Sequence, residues 1–380
     1  MFSMSVVPMS SGGGAQVISK ELVSALSELG ESHEIFLFKK KNEKRNFFMK
    51  WFLALRNLSN EVKLFKPRVV VSHLDGALFA NALFVQTEKI HLVHFFHGPP
   101  TEARGFRGII YEILKSFSLG KMDLLIFVSS AQELEHHKIY PAIKNKKSIV
   151  LRNPFIPSIT PTPESDEVII KNQKKCGRNI LLLPGRLSNQ KNQIFLIKLI
   201  SKRKIDGSSD LLLFSGNGED REYLISSARD YNLRVGFDFD QADTSDVIFL
   251  GHRNDVQDLM KKVDIVLLPS LYEGFPLALV EALCIGVTVI SSDCSTGPAE
   301  IKNLISEKLN NNTTLLDNEF IIIPMNFNEI GLAAWCHAID KITSKSKNKC
   351  RIISELSKNI FDRSMYCNRI RKEFEYNFSS

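Results

Sequence analysis

The segment "DIVLLPSLYEGFPLALVEALCIGVTVISS", residues 264–292, joins two short apolar runs through a polar turn and a stretch with helical spacing. Both runs are rich in Ile, Val and Leu, which is typical of strands buried on both faces of a parallel sheet. Pro276 suits the first turn of the helix between them, because its missing N–H would have no partner there. The segment therefore predicts a strand–helix–strand unit of an α/β fold.

The same alternation of apolar runs and helical stretches extends along the chain in both directions. The predicted strands are 4–9, 34–38, 68–73, 91–96, 124–129 and 148–153, and then 179–185, 211–216, 247–252, 264–270 and 287–292. Between the two groups, residues 153–167 contain four prolines among serine, threonine and acidic residues, which is the composition of a linker. We therefore predict an α/β chain of two doubly wound Rossmann-like domains that face each other across a cleft.

The predicted domain boundaries follow from this break. We expect a first domain at 1–155, a linker at 156–178, a second domain at 179–355 and a C-terminal helix at 356–380 that packs back on the first domain. A ligand is expected in the cleft, where the carboxyl ends of the parallel strands face each other.

Length and composition exclude several classes of protein. The chain has 380 residues, of which 44% are hydrophobic and 24% charged, so it can bury the cores of two globular domains. Its amino terminus lacks the pattern of a signal peptide, and no run reaches the roughly 18 apolar residues of a spanning helix. The six cysteines are scattered, without a C-x-x-C pair. We therefore expect a reduced, cytoplasmic protein without a structural zinc site.

The net charge of +7 is most concentrated in residues 39–56, where seven basic residues stand against one acid. Phe47, Phe48, Trp51 and Phe52 lie among them, and this composition is typical of a segment on an anionic membrane surface. The alternative is a solvated helix whose aromatic side packs on its own domain. Binding to nucleic acid is not expected, because no other part of the chain combines aromatic and basic residues in the manner of a sheet or groove.

A glycine cluster, "SSGGGAQ" at residues 10–16, lies between the first strand and the first predicted helix. Backbone N–H groups and the positive end of a helix dipole can bind an anion there. The spacing differs from a dinucleotide fingerprint, since Val17 takes the place of the third glycine and strand two ends in "FLFKKK" without an acid. A dehydrogenase is therefore disfavoured, although the lysines would accept the 2′-phosphate of NADP. A turn that binds nothing is the other alternative.

The loop "GRLSNQKN", residues 185–192, follows a predicted strand and opens a helix. Its Arg186 offers paired donors and its Lys191 a point charge, and together with helix N–H groups they suit a diphosphate. Each cation alone would be an ordinary surface residue. In the later turn "GNGE", residues 216–219, Gly216 would let the backbone pass close to a ligand, but a plain strand-to-helix turn is the better explanation of a single G-x-G.

Two glutamates lie in the helix-opening segment, Glu273 on the loop and Glu281 about one turn inside the helix. The turn between them leaves the amides of Leu277 and Ala278 without helical partners. The two carboxylates would therefore face one cleft at different depths and could hold different hydroxyl groups of a polar, anionic ligand. Taken singly, Glu281 would be an exposed helix charge and Glu273 a first-turn acid that complements the helix dipole.

Together these motifs resemble one family of enzymes. The ordered set is "SGGGAQ", "FFHGPP", "LRNP", "LLLPGRLSNQKN", "LLLFSGNGE", "VIFLGHRNDVQDLMKKVDIVLLPS", "LYEGFPLALVEAL" and "STGPAEI", within residues 10–302. It is similar to that of the retaining glycosyltransferases of family 4 (glycosyl transferases group 1), which have the GT-B fold. The resemblance implies a first domain on the acceptor side and a second domain that binds a nucleotide sugar.

The resemblance also implies roles for individual residues. Glu273 would contact the hydroxyl groups of the donor sugar, and Glu281 the ribose of the nucleotide. His97 would lie beside the reacting sugar, whereas His94, inside a strand, is interpreted as a core histidine. The implied catalytic residues are His97, Glu273, Arg186 and Lys191, and the implied donor-binding residues are Gly13, Gly14, Gly216, Arg253, Gly274, Phe275, Leu277, Ala278 and Glu281.

The implied reaction is transfer of a sugar, with retention of its anomeric configuration, from a nucleoside-diphosphate donor to a glycan or lipid-linked glycan. The expected setting is surface polysaccharide synthesis at the inner face of the cytoplasmic membrane, with a UDP-linked N-acetylhexosamine as the preferred donor. No cofactor or metal is expected, because the D-x-D pair Asp238 and Asp240 lies in a polar insertion that is interpreted as a solvated loop. The alternatives are a sugar-nucleotide 2-epimerase of the same fold and a catalytically silent nucleotide-sugar-binding protein.

Overall fold

The computed structural model describes residues 3–7, 14–27, 33–37, 47–85, 90–100, 105–309, 313–343 and 351–378. The chain divides into two compact units. Unit 1 comprises Met1–Asn153 and Arg363–Ser380, and unit 2 comprises Pro154–Asp362. The chain therefore leaves unit 1 once, completes unit 2 and returns to unit 1.

Unit 1 is built on one parallel sheet. Its strands are β1 (Ser3–Val7), β2 (His33–Leu37), β3 (Val69–His73), β4 (His91–Phe95), β5 (Leu124–Phe127) and β6 (Ser148–Val150). They pair in the order β2-β1-β3-β4-β5-β6. The helices that alternate with them are α1 (Gly14–Ser27), α2 (Phe47–Phe65), α3 (Asp75–Phe84), α4 (Gly105–Gly120) and α5 (Ser130–Ile139).

Unit 2 is built on a second, larger parallel sheet. Its strands are β7 (Ile180–Pro184), β8 (Leu211–Ser215), β9 (Val235–Gly236), β10 (Val247–Gly251), β11 (Ile265–Leu268), β12 (Thr288–Ser292) and β13 (Phe320–Ile323). They pair in the order β13-β12-β11-β7-β8-β10-β9. Its helices are α6 (Glu164–Lys175), α7 (Gln193–Ile205), α8 (Arg221–Asp230), α9 (Val256–Lys262), α10 (Leu277–Ile285), α11 (Pro298–Lys308), α12 (Thr313–Glu319), α13 (Glu329–Thr343) and α14 (Arg351–Ile360), after which α15 (Arg363–Phe378) belongs to unit 1.

The central strands are apolar on both faces because helices cover both sides of the sheet. Every residue of β7, β8 and β11 is buried. In unit 2, Phe195 packs edge-on against Trp335, and Phe214 packs against Phe249. The apolar runs therefore fix the strands in the interior, and only the loops at their ends are available for chemistry.

Both sheets contain a point at which the strand order reverses. It lies between β1 and β3 in unit 1 and between β7 and β11 in unit 2. The connections that follow the two strands at this point lead to opposite faces of the sheet. In doubly wound sheets this leaves a crevice outside the carboxyl ends of those strands. This doubly wound α/β architecture confirms the fold class predicted from the sequence. It also makes the loops after β7 and β11 the expected position of a ligand.

Each of the eleven predicted strands overlaps an observed strand. Within the described residues, the strands that the sequence did not predict are β9 and β13, at opposite edges of the sheet of unit 2. The first has two residues, and the second follows directly after α12. Short edge strands carry little periodic signal, which explains why they were missed.

The segment 156–178, predicted as a linker, is part of unit 2 and contains α6. Three acids occupy the first turn of this helix and two lysines its last turn, which complements the helix dipole. Ile170 and Gln173 are buried, so the helix packs on its unit. The prolines precede it, and Pro163 is its N-cap residue. The proline cluster therefore marks the approach to a packed helix, and the prediction of a linker through residue 178 was wrong.

The predicted C-terminal helix, 356–380, is divided between the two units. Residues up to Ile360 belong to α14, which packs on α10, where the hydroxyl of Ser354 donates to the carbonyl of Cys284 at 2.6 Å. The following helix, α15, packs on α1, and there Arg363 pairs with Glu21. The part that packs on unit 1 is therefore α15.

Some predicted surface features lie partly outside the described residues. Of the basic segment 39–56, residues 47–56 form the first part of α2, and residues 39–46 are not described. Of the glycine cluster, Gly12 and Gly13 are not described, and Gly14 is the first residue of α1. Across the described ranges, no helix combines the length and the apolar character needed to cross a membrane.

Candidate active site

The loops that follow β7 and β11 meet at the carboxyl edge of the sheet of unit 2, where the strand order reverses. The amide of Leu271 donates to the carbonyl of Gln190 at 2.8 Å, so the two loop backbones are joined directly. The side-chain amide of Gln190 donates in turn to the carbonyl of Tyr272 at 2.9 Å, across 82 residues of sequence. Asn192, with a φ of 53°, ends the first loop in the left-handed conformation and leads into α7. The reversal of strand order thus brings two of the predicted motifs into contact.

Lys191 and Glu273 form an ion pair at this junction. Nζ of Lys191 lies 2.5 Å from Oε1 of Glu273, and Nε2 of Gln190 donates to Oε2 of the same carboxylate at 3.3 Å. The side chain of Glu273 is 10% exposed and that of Lys191 17%, so bulk water screens the pair less than it screens a surface pair. A carboxylate held in this way can accept hydrogen bonds from hydroxyl groups, and an ammonium group has three donors to share with an anion.

The turn "EGFP", residues 273–276, is supported from behind by the segment "STGP", residues 295–298. The hydroxyl of Thr296 donates to the carbonyl of Glu273. Gly297 has a φ of 94°, and a Cβ at this position would lie 2.5 Å from Cδ of Pro276, so glycine is required for the approach. These contacts fix the turn from which Glu273 projects.

The helix α10 begins directly after this turn. Its N-cap residue is Pro276, and no side chain caps its first turn. The amides of Leu277 and Ala278 belong to that turn, where N–H groups have no acceptor within the helix. The positive end of a helix beside a loop lysine is suited to a phosphate group. The predicted positions Gly274, Phe275, Leu277 and Ala278 therefore share one junction of turn and helix, in which Gly274 and Phe275 are buried.

Glu281, in the second turn of α10, has a different partner from Glu273. Nε2 of Gln257 in α9 donates to its Oε1 at 3.0 Å. Burial raises the pKa of the Glu281 carboxyl above its ordinary value, and the hydrogen bond from Gln257 offsets part of that rise. Gln257 also donates to the carbonyl of Ile156 at 2.8 Å. Glu281 is thus connected through Gln257 to the segment by which the chain enters unit 2.

The "GNGE" turn after β8 packs closely against the loop after β7. The amide of Leu187 donates to the carbonyl of Asn217 at 3.1 Å. A Cβ at Gly216 would lie 2.0 Å from the carbonyl oxygen of Gly185, and a Cβ at Gly218 would lie 1.9 Å from that of Leu187. Both glycines are therefore required by the packing of the two loops, whether or not a ligand approaches Gly216.

The two predicted arginines have different surroundings. Arg186 is exposed, and its carbonyl accepts from Nε2 of Gln193 at 2.7 Å, which fixes the backbone of the loop. Arg253 donates to both carboxylate oxygens of Asp255, at 2.9 and 2.6 Å, and to Asp166 at 2.8 Å. Burial opposes the charge of Arg253, but these hydrogen bonds prevail and raise its pKa. Through these two carboxylates Arg253 joins α6 to the start of α9. Its role in donor binding stays a prediction.

The predicted catalytic histidine belongs to unit 1, where it follows β4. Nε2 of His97 lies 2.8 Å from Nδ1 of His73, and Nε2 of His73 lies 3.3 Å from the hydroxyl of Ser5. The ring of His97 stacks on that of Phe95, with centroids 4.7 Å apart. Burial lowers the pKa of His97 to about 3, so its ring is neutral near pH 7. His94 is buried in the core, as the sequence predicted.

The D-x-D pair flanks a buried aromatic residue. Asp238 and Asp240 are exposed, whereas Phe239 between them is buried, with the guanidinium of Arg253 5.4 Å from its ring centroid. In the part of the chain that the structure describes, no group of three or more His, Cys, Asp or Glu residues is placed to hold a metal ion. The burial of the phenylalanine accounts for this stretch without a ligand.

Three polar residues of this region were not predicted from the sequence, namely Gln190, Gln257 and Thr296. Each supports one of the two glutamates through a hydrogen bond. All three lie within the motifs quoted above, so their position was the available signal. The pairing of Gln257 with Glu281 has no local signal, because it joins two helices.

Two family descriptions match parts of the chain. Residues 164–304 match the family "Glycosyl transferases group 1". Residues 247–368 match the family "Family 4 Glycosyltransferase in conflict systems". Both matched ranges contain the "EGFP" turn and the two glutamates of α10 and its preceding loop.

Individual proteins match over most of the chain. It is 25% identical over 287 residues to an uncharacterized glycosyltransferase of Methanocaldococcus jannaschii, which covers 71% of this chain and 67% of the relative. It is 24% identical over 280 residues to the UDP-Gal:alpha-D-GlcNAc-diphosphoundecaprenol alpha-1,3-galactosyltransferase of Escherichia coli. This match covers 71% of this chain and 62% of the relative. Among solved structures, that of Anabaena HepE in complex with UDP-glucose is similar in fold, with a TM-score of 0.71 at 17% identity over 99% of this chain and 100% of the other.

Proposed function

Given that this chain is a glycosyltransferase with the GT-B fold and a glycosyl transferases group 1 domain at residues 164–304, we propose that it transfers a sugar with retention of configuration. The donor is a nucleoside-diphosphate sugar, with a UDP-linked N-acetylhexosamine preferred. The acceptor is a glycan or a lipid-linked glycan, and the product belongs to a surface polysaccharide of the lipopolysaccharide or capsule type. The UDP-glucose bound by the Anabaena structure supports the choice of a UDP-linked donor, and the diphosphoundecaprenol in the name of the Escherichia coli relative supports a lipid-linked acceptor.

The ion pair of Lys191 and Glu273 is the observation that carries the proposal. It places a cation and a carboxylate side by side at the crevice of unit 2. A nucleotide sugar needs both groups at adjacent positions, since its diphosphate is anionic and its sugar carries hydroxyl donors. Glu273 is therefore proposed to orient the sugar, while Lys191 binds the diphosphate and Glu281 binds the ribose.

The chemistry follows from charge development on the leaving group. When the bond between the anomeric carbon and the diphosphate breaks, negative charge accumulates on the departing oxygen. Lys191, Arg186 and the first-turn amides of α10 would stabilise this charge, because they are oriented before the reaction begins. In attack from the same face, the acceptor hydroxyl bonds to the anomeric carbon and passes its proton to the departing phosphate oxygen. We propose that neither a metal nor a cofactor takes part.

His97 is proposed to act on the sugar as a neutral group. With a pKa of about 3, it carries no charge near neutral pH, so it contributes a hydrogen bond rather than an electrostatic field. Nε2 of His97 is hydrogen-bonded to His73, so we propose that Nδ1 of His97 contacts the ligand.

The proposed setting is the inner face of the cytoplasmic membrane, where the protein would be peripheral. A lipid-linked acceptor requires such a contact. The basic and aromatic segment 39–56 has a composition that suits this contact.

A donor panel tests the proposed reaction. The purified protein is incubated with nucleotide sugars in EDTA, with and without membrane extract, and release of nucleoside diphosphate is measured. We expect nucleoside diphosphate to be released from one donor, and only when membrane extract is present. NMR of the product should show that the transferred sugar keeps its anomeric configuration. Isomerisation of the donor alone would instead indicate an epimerase, and binding without release a silent nucleotide-sugar-binding protein.

Glu273→Gln tests the assignment of the sugar-orienting group. The substitution keeps an acceptor for Gln190 but removes the charge that faces Lys191. We expect turnover to fall about 100-fold or more, while calorimetry shows the affinity for the free nucleoside diphosphate little changed. Glu222→Gln, on the exposed surface of α8, is the matched control and should alter neither quantity. Loss of nucleotide binding along with turnover would contradict the assignment.

A further inference from the structure

The helix α4 presents a wide apolar surface to solvent. Six large apolar side chains of this helix are between 44% and 78% exposed, namely Phe106, Ile109, Ile110, Ile113, Leu114 and Phe117. At 100° per residue they fall within an arc of about 140°. The buried residues Gly108, Lys115, Ser118 and Leu119 lie on the opposite side. These six residues are called the α4 face below, and a helix on the surface of a domain ordinarily carries polar residues there.

Basic residues border the α4 face on both edges. Arg107 is exposed beside it, and Lys121 follows the helix with its Nζ 4.7 Å from a ring centroid of the face. On the other edge, the hydroxyl of Tyr140 donates to Oε2 of Glu112 at 2.6 Å, and the turn after Tyr140 packs on α4. That turn lies within "KIYPAIKNKK", residues 138–147, which contains four lysines and no acid.

Two acids that the structure describes beside the α4 face, Glu112 and Asp75, already have partners. Glu112, the acid of α4, accepts the hydroxyl of Tyr140. Asp75 accepts the hydroxyl of Tyr111 and pairs at 3.0 Å with Lys115, whose side chain is buried. Asp75 and Lys115 offset each other's charge, and the Glu112 carboxylate is held by the Tyr140 hydroxyl. The basic residues beside the α4 face outnumber this one acid, so the rim is basic.

An apolar face with a basic rim matches the boundary of an anionic membrane, where acyl chains meet phosphate headgroups. A second copy of this chain is a poorer match, because it would bring one basic rim against another. The helix has 16 residues and is about 24 Å long, which is enough to lie in the plane of the headgroups with its apolar side turned inward.

We propose that the α4 face, together with Arg107, Lys121 and the lysines of 138–147, docks the protein on an anionic phospholipid membrane. The phenylalanine and isoleucine side chains enter the boundary between headgroups and acyl chains, and the basic rim binds lipid phosphate. The inference rests on the proposed function for its purpose, since a lipid-linked acceptor lies in that membrane. Lipid binding itself requires no turnover.

Cosedimentation with phospholipid vesicles tests this surface. Wild-type protein should bind vesicles that contain phosphatidylglycerol in preference to pure phosphatidylcholine. The variant F106Q/I113Q should bind them at least about 10-fold more weakly, because two apolar groups that would enter the membrane are lost. The variant K138Q/K144Q/K146Q should lose the preference for phosphatidylglycerol. The matched control is I205Q/I330Q, which changes two exposed isoleucines of unit 2 and should bind like the wild type.

Three results would overturn the proposal. One is equal vesicle binding by F106Q/I113Q and wild type. Another is loss of binding only when Lys39–Lys41 and Trp51 are replaced, with the α4 variant unaffected. The third is a wild-type dimer in analytical ultracentrifugation that F106Q/I113Q dissociates, since the face would then be an interface between copies. Calorimetric titration of the same variants with nucleotide sugars keeps the two proposals apart, because failure to bind any donor counts against the proposed reaction alone.

Discussion

At the scale of single residues, the two glutamates of one motif have unlike surroundings. Glu273 faces the ammonium group of Lys191 at 2.5 Å, whereas Glu281 accepts a hydrogen bond from the neutral amide of Gln257 at 3.0 Å. Burial opposes the charged form of Glu281. The two carboxylates, alike in sequence, therefore differ in the cost of removing their charge.

Glu281→Gln should stabilise unit 2 near neutral pH. Because burial raises the pKa of Glu281, the folded protein binds this proton more readily than the unfolded chain does. Above the folded-state pKa, ionisation of Glu281 therefore lowers the free energy of unfolding of the wild type. This destabilisation disappears as the pH falls to the pKa of glutamate in the unfolded chain, about 4.3. Glutamine keeps the acceptor for Gln257 without the charge.

Thermal unfolding at several pH values measures this effect. We expect a gain on the order of 1 kcal/mol at neutral pH that vanishes in acid. The same variant should bind nucleoside diphosphate more weakly, if Glu281 holds the ribose. A stability gain that does not depend on pH would show that desolvation of the carboxylate is not its source.

His73→Phe tests whether His73 positions His97. The new ring keeps an aromatic group beside Phe95 but removes the hydrogen bond to Nε2 of His97. We expect turnover to fall about 10-fold with an unchanged KM for the donor, because His97 loses the partner that fixes its proton on one nitrogen. Nitrogen NMR of His97 should show a mixture of tautomers. His94→Phe, on the same sheet, is the control, and a fixed His97 tautomer in His73→Phe would contradict the positioning role.

At the scale of elements, the active-site loops depend on one another for their shape. The loop after β7 is joined to the loop after β11 by Gln190, and to the turn after β8 by the close approach of two glycines. The "STGP" segment supports the "EGFP" turn in the same way. No single loop therefore has its conformation fixed by its own sequence.

Gly218→Ala should disrupt this assembly. Its Cβ would overlap the carbonyl oxygen of Leu187, which belongs to backbone and cannot rotate away. We expect a loss of about 2–4 kcal/mol in the free energy of unfolding and weaker nucleotide binding. Gly207→Ala is the control, because its positive φ strains an alanine while nothing lies within 4 Å of the new Cβ. It should cost only about 1 kcal/mol. Equal losses in the two variants would mean that loop contact is not the cause.

The strands, and the position of Lys191 and Glu273 in the loops that follow two of them, could be predicted because their signals are local. An apolar run that ends in a polar motif marks the carboxyl end of a buried strand, and Lys191 and Glu273 both follow such runs. Contacts between distant segments leave no such mark. The sequence could not pair Gln257 with Glu281, nor show that Arg253 is already occupied by Asp166 and Asp255.

At the scale of the whole molecule, the first compact unit is assembled from both ends of the sequence. The aromatic and apolar residues of α15 that are buried include Tyr366, Ile370, Phe374 and Phe378. Arg363 and Arg371 add hydrogen bonds to α1, at the hydroxyl of Ser24 and the carbonyl of Ala25. The proline cluster at 153–167 indicated the first crossing between units. The second crossing, at residue 362, falls between two helices of similar composition and had no comparable signal.

Deletion of Arg363–Ser380 should destabilise unit 1 and spare unit 2. Removing several buried side chains exposes their neighbours on α1, at a cost of about 2–5 kcal/mol for each large residue in isolation. In differential scanning calorimetry we expect the transition of unit 1 to fall by about 10 °C or more. The transition that UDP raises should stay in place. Met365→Gln, exposed on α15, is the control. A fall in the UDP-sensitive transition would show that α15 supports unit 2 instead.

The return of α15 to unit 1 has a consequence for biosynthesis. A ribosome completes residues 154–362 before it adds the helix that α1 requires, so unit 2 can fold on the emerging chain while unit 1 still lacks part of its core. Until translation passes residue 378, α1 has its contacts with β1 and β2 but lacks those with α15. The unit whose synthesis begins first is therefore completed after the other, and termination between residues 362 and 378 would yield a complete second unit attached to an unfinished first one.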